Sequence, residues 1–216
     1  MTSHTTSMSR RSRMHVVAAV AASALLLTGC NSGGTPGDPD TASPSAYATV
    51  SPSATPTPTV TAAYVPASAQ GRAQNVPVPV LPEVAKTETK EGLEAFVSYW
   101  YSALSYAYET GDATPMQAVS GPNCVFCTGL RDGLVTAWND GRWVVGGIIE
   151  TPVIDGHLSP GSPSQVTVQV LQAQTEIRKA DGGLYQDPRQ ATNSASQATA
   201  TFGSNGWVLT DLSLIR

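Results

Sequence analysis

Residues 31–82 hold ten of the sixteen prolines in this 216-residue chain, together with thirteen Ser and Thr, four Gly and three charged groups, Asp38, Asp40 and Arg72. Such a stretch has too little apolar surface to offset the entropy lost on ordering it. The composition therefore predicts a disordered Pro/Ser/Thr-rich stalk over residues 30–82, closing on the polyproline-like run Val76-Pro77-Val78-Pro79-Val80-Leu81-Pro82. Whatever folds around a core is then confined to residues 83–216, a length that suits one α+β domain and no multidomain enzyme.

The residues before the stalk carry an address. Arg10, Arg11 and Arg13 precede an apolar run from Val16 to Leu27, which ends in Leu27-Thr28-Gly29-Cys30. As a helix the run spans roughly 18 Å, short of the ~30 Å hydrocarbon core of a bilayer, so it reads as an export segment rather than a membrane span. Its ending resembles the lipobox of bacterial lipoproteins. That resemblance implies that residues 1–29 are a signal peptide, that Cys30 is joined to diacylglycerol, and that acyl chains of the palmitate kind hold the protein at the outer face of the cell membrane. Two or three such chains, at about 0.8 kcal/mol per buried methylene, make a lasting anchor. Ser9-Arg10-Arg11 is similar to a twin-arginine signal, but Arg13-Met14 stands where that signal has an apolar pair.

With the three signal arginines removed, nine basic groups face sixteen acidic ones, a balance that argues against a nucleic-acid partner. Two cysteines remain after Cys30, spaced as Cys124-Val125-Phe126-Cys127. Outside the cytoplasm a pair this close is expected as a disulfide, and the chain-entropy model assigns so small a loop about 2 kcal/mol. A thiol-disulfide site is the sharper alternative, because a C-x-x-C at a helix start can have a depressed thiol pKa. Thioredoxin-like sites usually place Trp before the motif, whereas Gly121-Pro122-Asn123 precedes this one. His4 and His15 leave with the signal, so His157 is the one mature histidine; neither a metal nor another cofactor is expected.

Within residues 83–216, Thr87 or Thr89 caps a helix that runs to about Thr110, with Gly111 as its left-handed stop. Leu93, Phe96, Val97, Trp100, Tyr101, Leu104, Ala107 and Tyr108 form its apolar stripe, opposite Glu91, Glu94, Ser98, Ser102, Ser105 and Glu109. A short helical stretch through Pro115–Ala118 and a helix from about Thr128 to Asn139 follow. The remainder alternates as strand: Trp143–Ile149 with a bulge or close approach at Gly146-Gly147, Gln165–Ile177, and a hairpin of Ser196–Phe202 and Trp207–Ile215. Asp155-Gly156-His157 reads as a solvated turn, and Asp112 as a cap on the turn after it. Helices first and antiparallel strands after predict a long N-terminal helix plus short helices packed on a curved antiparallel sheet of about four strands.

The long helix ending in Tyr108-Glu109-Thr110-Gly111-Asp112, the helix before Gly141-Arg142-Trp143 and the closing Gly206-Trp207-Val208-Leu209 strand resemble the cone fold of SnoaL-like and nuclear-transport-factor-like domains, with a cystatin-like arrangement of helix on sheet. Thr110-Gly111-Asp112 together with the C-x-x-C is similar to a family of actinobacterial lipoproteins with a domain of unknown function. The likeness covers Leu81 to Arg216 and brings no established activity. In cone-fold enzymes an Asp, Glu or His sits in the mouth of the sheet, its pKa raised by burial, beside a Tyr or a second acid. Asp211 is the one acid in mid-strand, and strict alternation puts it on the face of Trp207 and Leu209. If Trp207 points inward, Tyr99 and Tyr106, on one flank of the helix, complete a candidate pocket with it; the alternative, favoured because isolated carboxylates are rarely buried without a partner, puts Asp211 at an exposed edge with Trp207 covering the outside of the sheet. No nucleophile elbow, phosphate loop or metal-ligand cluster appears, and no catalytic residue is assigned. The expectation is a non-catalytic binding or interaction domain whose partner is an envelope protein or a small ligand. A cone-fold enzyme or ligand binder at Tyr99, Tyr106 and Asp211, and a thiol site at Cys124 and Cys127, stand as alternatives.

Overall fold

The computed structural model describes residues 62–215, so the signal segment, Cys30 and the stalk up to Thr61 lie outside the described residues. The long helix α1 spans Lys90–Thr110. The Thr89 hydroxyl accepts a hydrogen bond from the Gly92 N–H at 3.0 Å, and Gly111 stops the helix in the left-handed region at φ 79°. Both ends match the residues that capping chemistry selects. Two shorter helices follow, α2 (Thr114–Ala118) and α3 (Val125–Trp138). α3 starts three residues earlier than the apolar spacing suggests, because Cys124 itself serves as its N-cap.

Six strands complete the domain: β1 (Trp143–Gly146), β2 (Ile149–His157), β3 (Ser164–Gln172), β4 (Thr175–Arg178), β5 (Thr192–Gly203) and β6 (Gly206–Ile215). β2, β3, β5 and β6 form a four-stranded antiparallel sheet in that order, and β1 pairs with β4 in a two-stranded one. The domain is α+β, as its sequence predicts. The two sheets meet at a corner. Gly146 and Gly147, at φ 76° and 77°, turn the chain between β1 and β2 while Ala173-Gln174 turns it between β3 and β4. Hydrogen bonds from Gly147 N to Gln174 O and from Ala173 N to Ile148 O, at 3.0 and 2.9 Å, carry the pairing across the bend. A Cβ on Gly146 would lie 2.1 Å from the Gln174 carbonyl oxygen, so only glycine fits this corner. The single strands expected at Trp143–Ile149 and Gln165–Ile177 are therefore each broken in two.

Asp155-Gly156 is not a turn but part of β2, paired with Thr167 and Val166, and the Gly156 N–H donates to Glu94 of α1 at 2.9 Å. A bulge in β6 also changes a predicted orientation. Asp211 pairs with Thr199 and Leu209 with Ala200, which leaves Thr210 as the extra residue. The alternation shifts by one there, so Leu212 joins Trp207 and Leu209 inside. Asp211 moves to the solvent face.

The core lies between α1 and the inner face of the four-stranded sheet. Leu93, Phe96, Val97 and Trp100 are fully buried against Val166, Val168, Ala198, Ala200 and Leu209. The two tryptophans of this core each have a partner for the indole N–H. Trp100 Nε1 donates to the Ser120 hydroxyl at 2.8 Å and Trp207 Nε1 to the Thr87 carbonyl at 2.9 Å.

Composition places residues 62–82 in the stalk, and here the structure differs. Val65 and Gln74 exchange backbone hydrogen bonds at 3.0 and 2.9 Å, making a small hairpin. Trp143 Nε1 donates to the Ser68 carbonyl at 2.9 Å, and Arg72 donates to the carbonyls of Gly141 and Arg142 while its guanidinium lies 5.3 Å from the Trp138 ring centroid. Hydrogen bonds and one cation–π contact, rather than apolar burial, hold this segment, which is why a hydrophobicity argument misses it.

Candidate functional site

Between α1 and the sheet the core does not close completely. A cavity of about 390 Å³ opens under the C-terminal half of α1. α1 lines it with Tyr101, Leu104 and Tyr108, and α3 with Phe126 and Leu130. The strands contribute Ile149 and Val170 at one side and Leu212 and Leu214 at the other. Its deepest polar contact joins the Tyr101 and Ser196 hydroxyls at 2.6 Å. Tyr101 is 4 % exposed, and burial raises its phenol pKa, opposed by the hydrogen bond from Ser196. The phenol therefore stays neutral at ordinary pH and acts only through its hydrogen bond.

A second cavity of about 340 Å³ continues from the first, sharing Tyr108, Leu130, Gln172, Arg189 and Thr192 as common wall. Its α3 side is unusually open because Gly129 and Gly133 carry no side chains, and a Cβ on either would meet nothing within 4 Å. Opposite stand amides and hydroxyls, Gln172, Gln186, Gln190 and Thr175 among them. Arg189 is the one charged residue lining either cavity among the described residues. Its backbone is fixed by reciprocal hydrogen bonds with Thr175 at 2.9 and 3.0 Å, and among the described residues its guanidinium forms no salt bridge.

The three residues singled out from the sequence as a pocket are not brought together. Tyr99 is half-buried on α1 and lines neither cavity. Tyr106 lines a different groove of about 450 Å³ along α1, where Tyr64, Val76 and Pro77 of the 62–82 segment face it. In that groove the Tyr64 hydroxyl donates to Glu109 at 2.5 Å, and this bond, with burial and the carboxylate charge, pushes the Tyr64 pKa up to about 12. Asp211 stands exposed on the outer face of β6, on the far side of the bulge from the core. The α1 residues that do line the cavity, Tyr101, Leu104 and Tyr108, belong to the helix's apolar stripe, and periodicity does not distinguish a stripe residue that packs from one that borders open space.

Cys124 and Cys127 form a disulfide at the start of α3. The Cys124 sulfur also accepts the Cys127 N–H at 3.3 Å. Cys124 is 0 % and Cys127 4 % exposed, so both sulfurs are largely shielded from the attack that thiol-disulfide exchange requires. This geometry is that of a staple joining the α2–α3 connection to α3. Among the described residues there is no group of three or more His, Cys, Asp or Glu placed to hold a metal ion, and no helix is long and apolar enough to cross a membrane. His157 ends β2 in an exposed position.

A long helix laid on an antiparallel sheet, with a paired cavity between helix, sheet and a second helix, defines a cavity-bearing α+β domain. The chain belongs to DUF6318, a family of unknown function, whose pattern matches residues 62–213. No curated protein matches it in sequence. Among solved structures, it is similar to the intermembrane space region of the chloroplast protein ARC6, with 14 % identity and a TM-score of 0.43 over 59 % of this chain and 96 % of that one. It is also similar to a protein of unknown function with a cystatin-like fold from Nostoc punctiforme PCC 73102, with 11 % identity and a TM-score of 0.32 over 57 % of this chain and 89 % of the other.

Proposed function

We propose that this chain is a lipoprotein of the actinobacterial kind, held at the outer face of the cell membrane by acyl chains on Cys30, whose cone-like domain binds a small ligand without transforming it. The anchor is supported by the arginines, apolar run and lipobox-like ending of residues 10–30. The binding role is supported by one observation above the others: the cavity of about 390 Å³ between α1 and the sheet. That volume lies in the range of small-molecule sites, about 300–1,000 Å³, and its mostly apolar wall with a few fixed polar groups is the usual composition of one. The lining holds no carboxylate or imidazole to move a proton, which favours binding over catalysis.

Two measurements test the two halves. An alkyne-bearing palmitate fed to cells should label the wild-type chain and not Cys30→Ser; equal labelling of both overturns the anchor. An apolar naphthalene sulfonate dye should bind at one saturable site, and Leu214→Trp, at the cavity wall on β6, should weaken it. A chain that takes up no dye, or takes it up equally in the variant, overturns the cavity as a ligand site.

A further inference from the structure

The two joined cavities differ in character, and that difference assigns a class of ligand. The lobe under α1 is walled by aliphatic and aromatic groups, with Leu104, Phe126 and Val170 on three sides and the Tyr101–Ser196 hydroxyl pair already satisfied internally. It offers an apolar group contact but few free hydrogen bonds. The lobe along α3 has a flat wall at Gly129 and Gly133 and an opposing wall of side-chain amides, Gln172, Gln186 and Gln190. Amides both donate and accept, so this lobe suits hydroxyl and ester groups. Arg189 stands at the shared boundary and lines both lobes. An arginine there recognises a carboxylate or phosphate by paired N–H donors, and Arg189 has no carboxylate of the protein bound to it among the described residues.

Resting on the reading of this cavity as a ligand site, we propose that the ligand is a single-chain anionic amphiphile. Its apolar chain fills the lobe under α1, its anionic group pairs with Arg189, and the hydrogen-bonding remainder of its head lies between the α3 glycines and the Gln172, Gln186 and Gln190 amides. Each methylene placed in the first lobe leaves water, which supplies affinity; the arginine and amides supply selectivity among heads. An exported domain close to a membrane surface meets ligands of this class.

The test compares four probes sharing a twelve-carbon chain, each below its micellar concentration, by calorimetric titration into the full chain carrying Cys30→Ser and a closed Cys124–Cys127 bridge. The probes are lauroyl lysophosphatidylglycerol, dodecyl phosphate, dodecyl maltoside and dodecyltrimethylammonium. Both anionic probes should bind about tenfold or more tightly than the neutral and cationic ones, the preference an arginine–anion pair supplies. The lysophospholipid should bind more tightly than dodecyl phosphate if the second lobe reads the rest of the head. Arg189→Gln should remove the preference for anions while leaving the maltoside titration unchanged. Gly133→Leu, which puts a side chain into the open wall, should bring the lysophospholipid down to the affinity of dodecyl phosphate. Thermal melting of each variant separates a lost fold from a lost site. If the four probes bind alike and Arg189→Gln changes nothing, the anionic amphiphile is wrong and the cavity remains a ligand site. If none of them binds to the folded chain, the cavity reading falls and this inference falls with it.

Discussion

The hydroxyls of Tyr101 and Ser196 meet at 2.6 Å in the wall of the α1 cavity, joining the long helix to β5. Tyr101 is 4 % and Ser196 1 % exposed, so a hydroxyl that loses its partner here has no ready access to water. Tyr101→Phe strands the serine and Ser196→Ala strands the phenol, and each should lower stability by about 1–3 kcal/mol. The double variant removes both groups together and should lose less than the sum. Urea denaturation of the four proteins gives the coupling directly, and losses that simply add would show that this bond contributes nothing of its own.

Alkaline pH should destabilise the domain through two tyrosines. Burial holds the Tyr101 pKa above the ordinary value, and hydrogen bonding to Glu109 pushes that of Tyr64 up to about 12. Both shifts favour the neutral phenol in the folded state. Their contribution is therefore fully present below the unfolded value, about pH 10, and is lost as pH rises through the folded values. Stability followed by denaturant melts should be level through the approach to pH 10 and fall beyond it, with a shallower fall in Tyr64→Phe. An unchanged slope in that variant would rule out the Tyr64–Glu109 bond as a source.

Helix α1 is readable in the sequence because three independent signals agree on it: Thr89 at the N-cap, Gly111 at the stop and an apolar stripe between them. The Gly146-Gly147 pair is equally informative, and it marks the corner where one sheet passes into the other. The cavity is not readable. Tyr101 belongs to the same stripe as Phe96 and Trp100, and whether such a side chain packs or borders a space depends on strands far along the chain, from Ile149 to Leu214. Asp211 is misread for a different reason: a bulge at Thr210 reverses the alternation, and no glycine marks it. The 62–82 segment is misread because composition measures burial, whereas its anchorage is a hydrogen bond from Trp143 and the Arg72 contacts.

That anchorage gives a third prediction. A chain lacking residues 62–75 leaves Trp143 Nε1 without the Ser68 carbonyl and uncovers the Trp138 ring that Arg72 faces. Its melting temperature should fall on the order of 5 °C, the shift that about 1–2 kcal/mol makes in a domain of this size. Tryptophan emission should move to longer wavelength as the rings meet water. A truncated chain that melts and fluoresces like the full one would return these residues to the stalk.

Three helical glycines should respond to alanine with opposite signs. Helix propensity alone makes Gly→Ala stabilising by about 1 kcal/mol. At Gly129 and Gly133 of α3 an added Cβ meets nothing within 4 Å, so both substitutions should stabilise. At Gly92 in the first turn of α1 the Cβ would lie 2.2 Å from the Thr87 carbonyl oxygen and 2.8 Å from that of Val84. Backbone atoms do not yield as a side-chain tip does, so Gly92→Ala should destabilise despite the better helix former. Denaturant midpoints of the three variants check it, and a stabilised Gly92→Ala would mean that the turn before α1 is looser than this packing.

The Cys124–Cys127 bridge should behave as a staple and resist mild reductants. A thiolate must approach a disulfide sulfur along the sulfur–sulfur axis, and with Cys124 at 0 % and Cys127 at 4 % exposure that approach requires local opening at the start of α3. Millimolar glutathione should leave the bridge intact in the folded domain and reduce it once denaturant is added, which mass spectrometry after alkylation distinguishes. Replacing both cysteines by Ser should lower stability by about 2 kcal/mol, the loop-closure value for so short a ring, with the fold retained. Removing Cys124 alone has a further effect, because its sulfur caps the Cys127 N–H. Cys124→Ala should therefore fray the first turn of α3 more than Cys124→Ser, whose hydroxyl takes over the cap. Rapid reduction of the native domain at matched pH would instead mean that the bridge opens in the folded state, and the thiol-disulfide alternative would then regain its place.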